Sequence, residues 1–488
     1  MESKRILAFD FGASSGRAMI ATLVDGKIEI KEIHRFANDP VLVGNRLSWD
    51  ALRLFHEIKQ GIVLAVQDGG FDSIALDTWG VDFGLINEYG ELISNPAHYR
   101  DSRTEGMPEE VFSIVPENEI YKVAGIQKMN FNTLYQLYYL SKYRPQIMEQ
   151  ADCMLLMPDL FAYWLTGEKR MEYTITSTTN LIDAKTKEIN GDLLDKLGIR
   201  KDIFPKMIFP GEVYGNLLPE ICEELHCESV PVIAAPTHDT ASAVCAVPTT
   251  TKDYAYISCG TWSLLGTVID EPIRTEESCK IGFTNEGTYD GKIRYLRNIV
   301  GLWLIQQSRA EWKRQGLDVS FDEMENSARA AEPFKCFINP DAPDFVAPGN
   351  MPKRVVEYCK RTGQYVPDGM GEVLRCIYQS LAFKYRLAIE EMESITGQKY
   401  ECIHMIGGGI KDKLLCQMTA DACGKTVVAG PVEATVTGNI VNQMLSLGMI
   451  KDNAEAKQII INSTPINTFT PNNTEDWEKH FEEFKSRI

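Results

Sequence analysis

RILAFDFGASSGRAMIAT, residues 5–22, holds two apolar runs on either side of a loop of small residues, with one charge where each run meets the loop: Asp10 and Arg17. Ile6, Leu7, Ala8 and Phe9 are too short a run for a surface helix and read as a strand buried on both faces. Asp10 then stands at a strand end. Gly12 and Gly16 permit backbone that a side chain would block, and Ala13, Ser14 and Ser15 leave N–H and hydroxyl donors uncovered, as a phosphate-gripping turn requires. A carboxylate has the wrong charge to touch phosphate, so Asp10 beside such a loop suggests a divalent cation between the two. A tight hairpin with merely solvated polar residues is the alternative that this stretch leaves open.

The chain repeats the plan about half its length later. YAYISCGTWSLLGTVI, residues 254–269, is again strand, Gly-Thr/Ser turn, strand, with Gly260, Thr261 and Ser263 in place of Gly12, Ser14 and Ser15. Two such hairpins, each opening a long half-chain, suggest two domains of similar core that share one nucleotide. Two other nucleotide signatures are excluded. Gly424-Lys425-Thr426 has Thr419 where GxxxxGK[ST] needs its first glycine, and no GxGxxG opens a strand-turn-helix.

Composition sets further bounds. A length of 488 residues fits two domains with insertions, and 44% hydrophobic with 9% aromatic residues gives ample core material. No run approaches the roughly 18 apolar residues of a membrane span, and MESKR leads straight into a strand, so a soluble cytoplasmic protein is expected. A net charge of −18 without a basic cluster argues against nucleic acid as a partner. Twelve scattered cysteines read as reduced and mostly buried. Cys222 and His226-Cys227 lack a second ligand pair and read as thiols at a helix end.

Along the chain, Asp25-Gly26 gives a type I′ turn into a third strand, Ile28 to Phe36. Asp50 caps a helix with Leu54, Phe55, Ile58 and Ile62 on one face, and Ser73 to Leu76 is the next strand. Residues 99–205 turn helical and irregular, the kind of insertion that builds a substrate wall. Val230 to Ala235 is a buried strand leading to His238-Asp239-Thr240. The domain boundary falls in the polar stretch 247–253, giving domains 1–247 and 248–488. In the second, Ile293 to Ile299 is a strand, Leu302 to Arg314 a helix, and Gly371 to Gly397 a long core helix. Cys402 to Ile406 runs as a strand into Gly407-Gly408-Gly409, a turn over which an adenine or ribose can lie against bare backbone. The tail, Thr474 to Ile488, is an amphipathic helix without evident chemistry.

FGASSGR (11–17), DTWGVDFG (77–84), YRDSRT (99–104), FNTLYQL (131–137), LLMPD (155–159), HDTASAV (238–244), SCGTWSLLG (258–266), NIVGLWLIQ (298–306), GGG (407–409) and ADACG (420–424) stand in one order over nearly the whole chain. In this the chain resembles the FGGY carbohydrate kinases, and within them the members that phosphorylate L-rhamnulose. The resemblance implies an α/β fold of two ribonuclease-H-like domains, the actin, hexokinase and Hsp70 class, around a central cleft. It implies transfer from ATP, with Mg²⁺, to L-rhamnulose, with L-fuculose as the alternative ketose. A non-catalytic actin-like nucleotide-binding protein is the rival of another class. Asp10 and Asp239 together argue against it, because a sensor has no need of a sugar-directed base.

By the same resemblance Asp239 is the base, although a helix N-cap is what its position alone would suggest. Trp79, Gly80, His238, Asp239, Thr240 and Asn298 would meet the sugar. Ala13, Ser14, Ser15, Gly16 and Arg17, with Thr261, Gln306 and Gly408, would meet the nucleotide, and Asp10 the metal. Trp79 could equally be ordinary core, and Asp77 and Asp82 read either as groups that support the site residues from behind or as strand-end polar residues, and are left outside the site. Some members resembling this chain are disulfide-linked at the positions of Cys359 and Cys376, a bond not expected in a reducing compartment. The partners implied are small molecules only, with a monomer or homodimer as the state.

Overall fold

The computed structural model describes residues 4–251 and 253–488. Met1 to Ser3 of MESKR and Lys252 of the 247–253 stretch lie outside the described residues. The chain forms two compact units. The first comprises Met1–Thr250, Val268–Tyr295 and Ala434–Ser463, and the second Thr251–Thr267, Leu296–Glu433 and Thr464–Ile488. The units are therefore not two contiguous halves. Two segments from beyond residue 247 fold with the first.

In the first unit, β1 (Arg5–Phe11), β2 (Ser15–Val24) and β3 (Lys27–Ala37) form an antiparallel meander. Asp25 and Gly26 both have positive φ (48° and 72°), which is the type I′ geometry that Asp-Gly favours between β2 and β3. Ser73–Thr78 pairs parallel to β1, Pro231–Ile233 parallel to Ser73–Thr78, and Val213–Asn216 closes the edge antiparallel. Numbering these six strands by sequence, their spatial order is 3-2-1-4-6-5.

β1 is buried on both faces, as its unbroken apolar run requires. Leu7, Phe9 and Phe11 pack with Leu54, Ile58 and Ile62 of α1 (Ala51–Gln67), whose first turn is capped by Asp50 accepting the Arg53 N–H at 3.2 Å. Ile6 and Ala8 point the other way, onto Val436, Ile440 and Val441 of the helix Ala434–Ser446. That helix is tied to the sheet by polar contacts as well. Gln443 Nε2 donates to the Leu7 carbonyl (3.1 Å), and the Ser73 hydroxyl donates to Gln443 Oε1 (2.7 Å). A Cβ at Gly438 would stand 1.8 Å from the Ser242 carbonyl oxygen, so only glycine lets this helix cross Asp239–Cys245 so closely.

The second unit repeats the strand order. Ala255–Cys259 pairs antiparallel with Trp262–Ile269 and parallel with Cys402–Ile406, Thr426–Ala429 lies parallel beyond that, and Asn467–Phe469 closes the edge antiparallel. With Ile293–Val300 beside Trp262–Ile269 and Thr284–Gly287 outside it, the strands take the same spatial arrangement as in the first sheet, except that here the edge strand Asn467–Phe469 comes last in the chain. The echo between residues 5–22 and 254–269 is thus a repeated architecture, and the ribonuclease-H-like expectation holds in both units. The helix Gly369–Thr396 buries Leu374, Ile377, Leu381, Ala388 and Met392, and the tail helix Thr474–Arg487 buries Trp477, Phe481 and Phe484. The Cys336, Cys359 and Cys376 sulfurs lie within 4.8 Å of one another, all buried and all free thiols. Among the described residues no helix is long and apolar enough to cross a membrane.

Candidate active site

In the first unit the strand register brings the carboxylates together. Asp10 stands opposite Arg17 on β2 and opposite Asp77 on the parallel strand Ser73–Thr78. The Arg17 guanidinium donates to Asp10 Oδ2 at 2.5 Å. Asp77 is fully buried, with Oδ2 accepting from Asn439 Nδ2 (2.7 Å) and Oδ1 without a hydrogen-bond partner. Burial and then the Asp10 charge drive its pKa well above the carboxylate range. The loop after β1 is braced by Asn38, whose Nδ2 donates to the Gly12 carbonyl (2.8 Å) and whose N–H donates to the Ser14 carbonyl (3.1 Å). Ala13 and Ser15 are half-buried and Ser14 is exposed. Gly16 has a packing reason of its own, since a Cβ there would meet the Phe36 ring at 2.2 Å.

Thr78 N–H donates to the Thr237 carbonyl (2.8 Å), and Thr78 bridges His238 in parallel, so Trp79-Gly80 runs beside His238-Asp239. A Cβ at Gly80 would stand 3.1 Å from Thr178 Oγ1 and 3.4 Å from His238 Nε2. The buried carboxylate of Glu172 fixes this region. It accepts from the Thr174 and Ile175 N–H groups and from the Thr237 hydroxyl at 2.6 Å. Asp239 is the first residue of the helix Asp239–Cys245, with His238 at the cap position. Its Oδ1 accepts from the Thr240 N–H (2.5 Å) and hydroxyl (3.0 Å). The Asp239 side chain keeps 32% of its surface open. Dense surroundings first, and the Asp10 charge second, still push its pKa up to about 7. His238 is held well below its ordinary pKa by burial and by the Arg294 charge, so its imidazole is neutral.

Trp79 belongs to the core. Only 5% of it is open, and its indole lies 4.0 Å, centroid to centroid, from Trp49. Both indole N–H groups donate to Asp82 Oδ2 (3.0 Å from Trp79, 2.6 Å from Trp49), the Tyr99 N–H joins them at 3.1 Å, and Gln136 Nε2 donates to Oδ1 at 3.0 Å. Of the two sequence readings of Asp82, a strand-end polar residue or a support behind the site, the second fits this fully buried hub. Burial raises its pKa to about 6 despite those donors. Just before it, Val81 has φ 68°, a left-handed conformation that costs a β-branched residue on the order of 1–3 kcal/mol and is found mostly at functional sites.

The nucleotide candidates of the second unit also converge. Thr261 Oγ1 lies 3.3 Å from Gln306 Oε1, and the Leu302 and Trp303 N–H groups donate to the Gly260 and Thr261 carbonyls (3.2 and 3.1 Å). A Cβ at Gly409 would clash with Cys259 Sγ at 2.5 Å, and one at Gly407, where φ is 89°, would stand 3.1 Å from the Cys259 carbonyl oxygen. Gly408 alone of the three would present a Cβ to open space. This glycine turn packs against the strand that leads into Thr261. Asn298, half-buried on Ile293–Val300, also lies in the second unit, apart in the chain's division from the other sugar candidates.

Sequence reading missed Thr178, beside Gly80, Glu172, which accepts from Thr237, and Glu286 and Arg294, both beside His238. Glu286 and Arg294 sit on the hairpin of Thr284–Gly287 and Ile293–Val300, some 50 residues beyond His238, and no local pattern announces that they fold back on it.

The chain matches the family model of the N-terminal domain of the FGGY family of carbohydrate kinases over residues 5–245, and that of the C-terminal domain over residues 255–447. It is 41% identical over 486 residues to a rhamnulokinase of Bacteroides thetaiotaomicron, covering 99% of each chain. To a rhamnulokinase of Bacillus subtilis it is 39% identical over 466 residues, covering 95% of each. Among solved structures, a ligand-bound xylulose kinase from Lactobacillus acidophilus superposes with TM-score 0.83 at 17% identity, covering 99% of this chain and 97% of that one. Plasmodium falciparum glycerol kinase with ADP superposes at 0.80 and 15% identity, again with 99% and 97% covered. At those identities the two structures speak for the fold.

Proposed function

Because the chain belongs to the FGGY family of carbohydrate kinases, we propose that it transfers the γ-phosphoryl group of ATP to the primary hydroxyl of L-rhamnulose, giving L-rhamnulose 1-phosphate. The sugar is inferred from the full-length likeness to rhamnulokinases. The observation that carries the chemistry is Asp239, an open carboxyl beside Gly80 and His238 with its pKa raised to about 7.

A primary hydroxyl is a poor nucleophile, and a positioned carboxylate of pKa near the working pH is the efficient acceptor for its proton. Asp239 takes that proton as the oxygen–phosphorus bond forms. Neutral His238 and the Thr240 hydroxyl orient the carboxylate and the sugar. Gly80 leaves the ring room, with Trp79 supporting it from the core side, and Asn298 supplies a further amide. Ala13 to Arg17 meet the phosphates through backbone and hydroxyl donors, and Thr261, Gln306 and Gly408 meet the nucleoside. The base and most of the sugar candidates thus belong to the first unit, and Thr261, Gln306 and Gly408 of the nucleotide set to the second.

The donor set suits Mg²⁺: hard carboxylate oxygens, one of them, Asp77 Oδ1, buried and unpartnered. Asp10 would hold the ion, directly or through water, and when bound it supplies charge neutralisation at the phosphates. Arg17, already paired with Asp10, keeps that carboxylate aimed in its absence. We place the enzyme in the cytoplasm, acting on small molecules as a monomer or homodimer.

The test is ADP release by the purified protein with ATP, Mg²⁺ and a panel of L-rhamnulose, L-fuculose and D-xylulose. The highest kcat/KM is expected for L-rhamnulose. A tenfold preference for another ketose overturns the substrate, and absence of sugar-dependent ADP release overturns the kinase reading.

A further inference from the structure

The hairpin formed by Thr284–Gly287 and the start of Ile293–Val300 belongs to the first unit and carries two charged residues into it. Arg294 is completely buried, at 0% exposure, and Glu286 nearly so. Arg294 Nε donates to the Gly287 carbonyl (2.9 Å), and Nη2 donates to Glu286 Oε2 (3.0 Å) and lies 3.1 Å from His238 Nδ1. On the far side of the imidazole, His238 Nε2 is 3.3 Å from Asp239 Oδ1.

A guanidinium carries only donors and does not lose its charge in proteins. At 3.1 Å from Nη2, His238 Nδ1 can therefore only be the nitrogen with the free lone pair. The other assignment, Nδ1–H aimed at Glu286 Oε2 at 3.5 Å, would point two N–H bonds at one another across the shorter contact. It would also turn a lone pair on Nε2 toward the Asp239 carboxylate. With Nδ1 accepting from Arg294, the proton of the neutral ring resides on Nε2 and faces Asp239.

Asp239 Oδ1 accepts two hydrogen bonds, from the Thr240 N–H and the Thr240 hydroxyl, and His238 Nε2 lies 3.3 Å from the same oxygen. A carboxylate oxygen so engaged is the weaker proton acceptor of the pair, because each donor stabilises its charge. We propose that Arg294 is a positioning residue, held by Glu286, which locks His238 as the Nε2–H tautomer, so that the ring turns a proton and not a lone pair toward Oδ1, already engaged by Thr240, and Asp239 Oδ2 is the oxygen that receives the substrate proton. The same pair would hold His238 neutral through the reaction, so the imidazole orients the carboxylate without competing for its proton. This role rests on the reading of Asp239 as the base.

The tautomer can be read without turnover. In protein labelled with ¹⁵N-histidine, long-range ¹H–¹⁵N correlation separates Nδ1–H, Nε2–H and imidazolium rings, and His238 is assigned among the seven histidines by the signals lost in His238→Gln. An Nε2–H pattern for His238 at pH 7 is expected, and an Nδ1–H or imidazolium pattern overturns the proposal. Kinetics give the second arm. Arg294→Met should lower kcat about 10- to 100-fold, the range in which one oriented proton-transfer partner acts, with little change in KM for ATP. Arg294→Lys, which retains a cationic donor, should recover part of the loss. Wild-type kcat in Arg294→Met overturns the positioning role. If Arg294→Met fails to fold, the wild-type spectrum still decides. An Nδ1–H ring in an enzyme that Asp239→Asn inactivates removes this proposal alone. A fully active Asp239→Asn removes the base reading and this role with it.

Discussion

Replacing Asp239 by asparagine separates the two roles that its position allows. Asn keeps an oxygen for the Thr240 N–H that Asp239 Oδ1 accepts at 2.5 Å, and puts an amide where Oδ2 stood. The helix start is preserved, because Asp239 is its first residue with His238 at the cap position, and the exchange leaves the Thr240 N–H its acceptor. The proton acceptor is lost. A positioned general base contributes about 10²- to 10⁴-fold, or about 3 to 5 kcal/mol of barrier, so kcat should fall at least about 100-fold in a coupled ADP assay. KM for ATP should hold. Stability should respond in the opposite sense. The Asp239 pKa is raised from an ordinary 3.8 to about 7, so the folded state binds the extra proton in that window. The wild type loses stability as pH rises through it, and the uncharged amide does not. The melting temperature of Asp239→Asn relative to wild type should therefore climb between pH 4 and pH 7. A variant that keeps more than a tenth of wild-type kcat refutes the base, and a flat melting difference refutes the shifted carboxyl.

Four further outcomes follow from the geometry. In the wild type, kcat/KM for the sugar should rise with pH through about 7 as Asp239 loses its proton, and a profile flat from pH 5.5 to 8 would contradict that assignment. Gly408→Val should raise KM for ATP about tenfold or more, as expected when one contact worth about 1.4 kcal/mol is lost, without changing the melting temperature. Gly409→Val, whose Cβ would meet Cys259 Sγ at 2.5 Å, should destabilise the fold itself, and equal behaviour of the two would refute the distinction. Asp10→Asn should raise the Mg²⁺ concentration for half-maximal rate, so an unchanged titration removes Asp10 from metal binding. Asp82→Ala leaves two buried indole N–H groups without their acceptor, at about 1–3 kcal/mol each, and urea unfolding should show a loss of about 2 kcal/mol or more; a loss under 0.5 kcal/mol would show that Asp82 is not the hub.

How far the sequence carries the reader depends on how local each signal is. β1 announces itself because Ile6 to Phe9 is apolar without a break, and the flanking glycines and charges fix where it stops. Strand pairs joined by short turns, such as β2 and β3 across Asp25-Gly26, are legible for the same reason. The helix Ala434–Ser446 belongs to the second half of the sequence, and only the folded chain places its Asn439 on Asp77 and its Gly438 against Ser242. Arg294 carries no motif at all. Its importance comes from burial beside His238, a contact between residues 56 positions apart. Trp79 shows the converse. An aromatic residue within DTWGVDFG invites a stacking role, whereas its ring is packed on Trp49 and its N–H is taken by Asp82. Composition cannot distinguish an indole that faces a ligand from one that holds the wall behind it.

The central claim is phosphoryl transfer from ATP to the primary hydroxyl of L-rhamnulose, and the position of the phosphate tests it most directly. With [1-¹³C]L-rhamnulose, ATP and Mg²⁺, the account predicts one phosphate monoester whose ³¹P signal is coupled to the labelled C1, formed in step with ADP. An ester on another carbon, or ADP without any sugar ester, would contradict it.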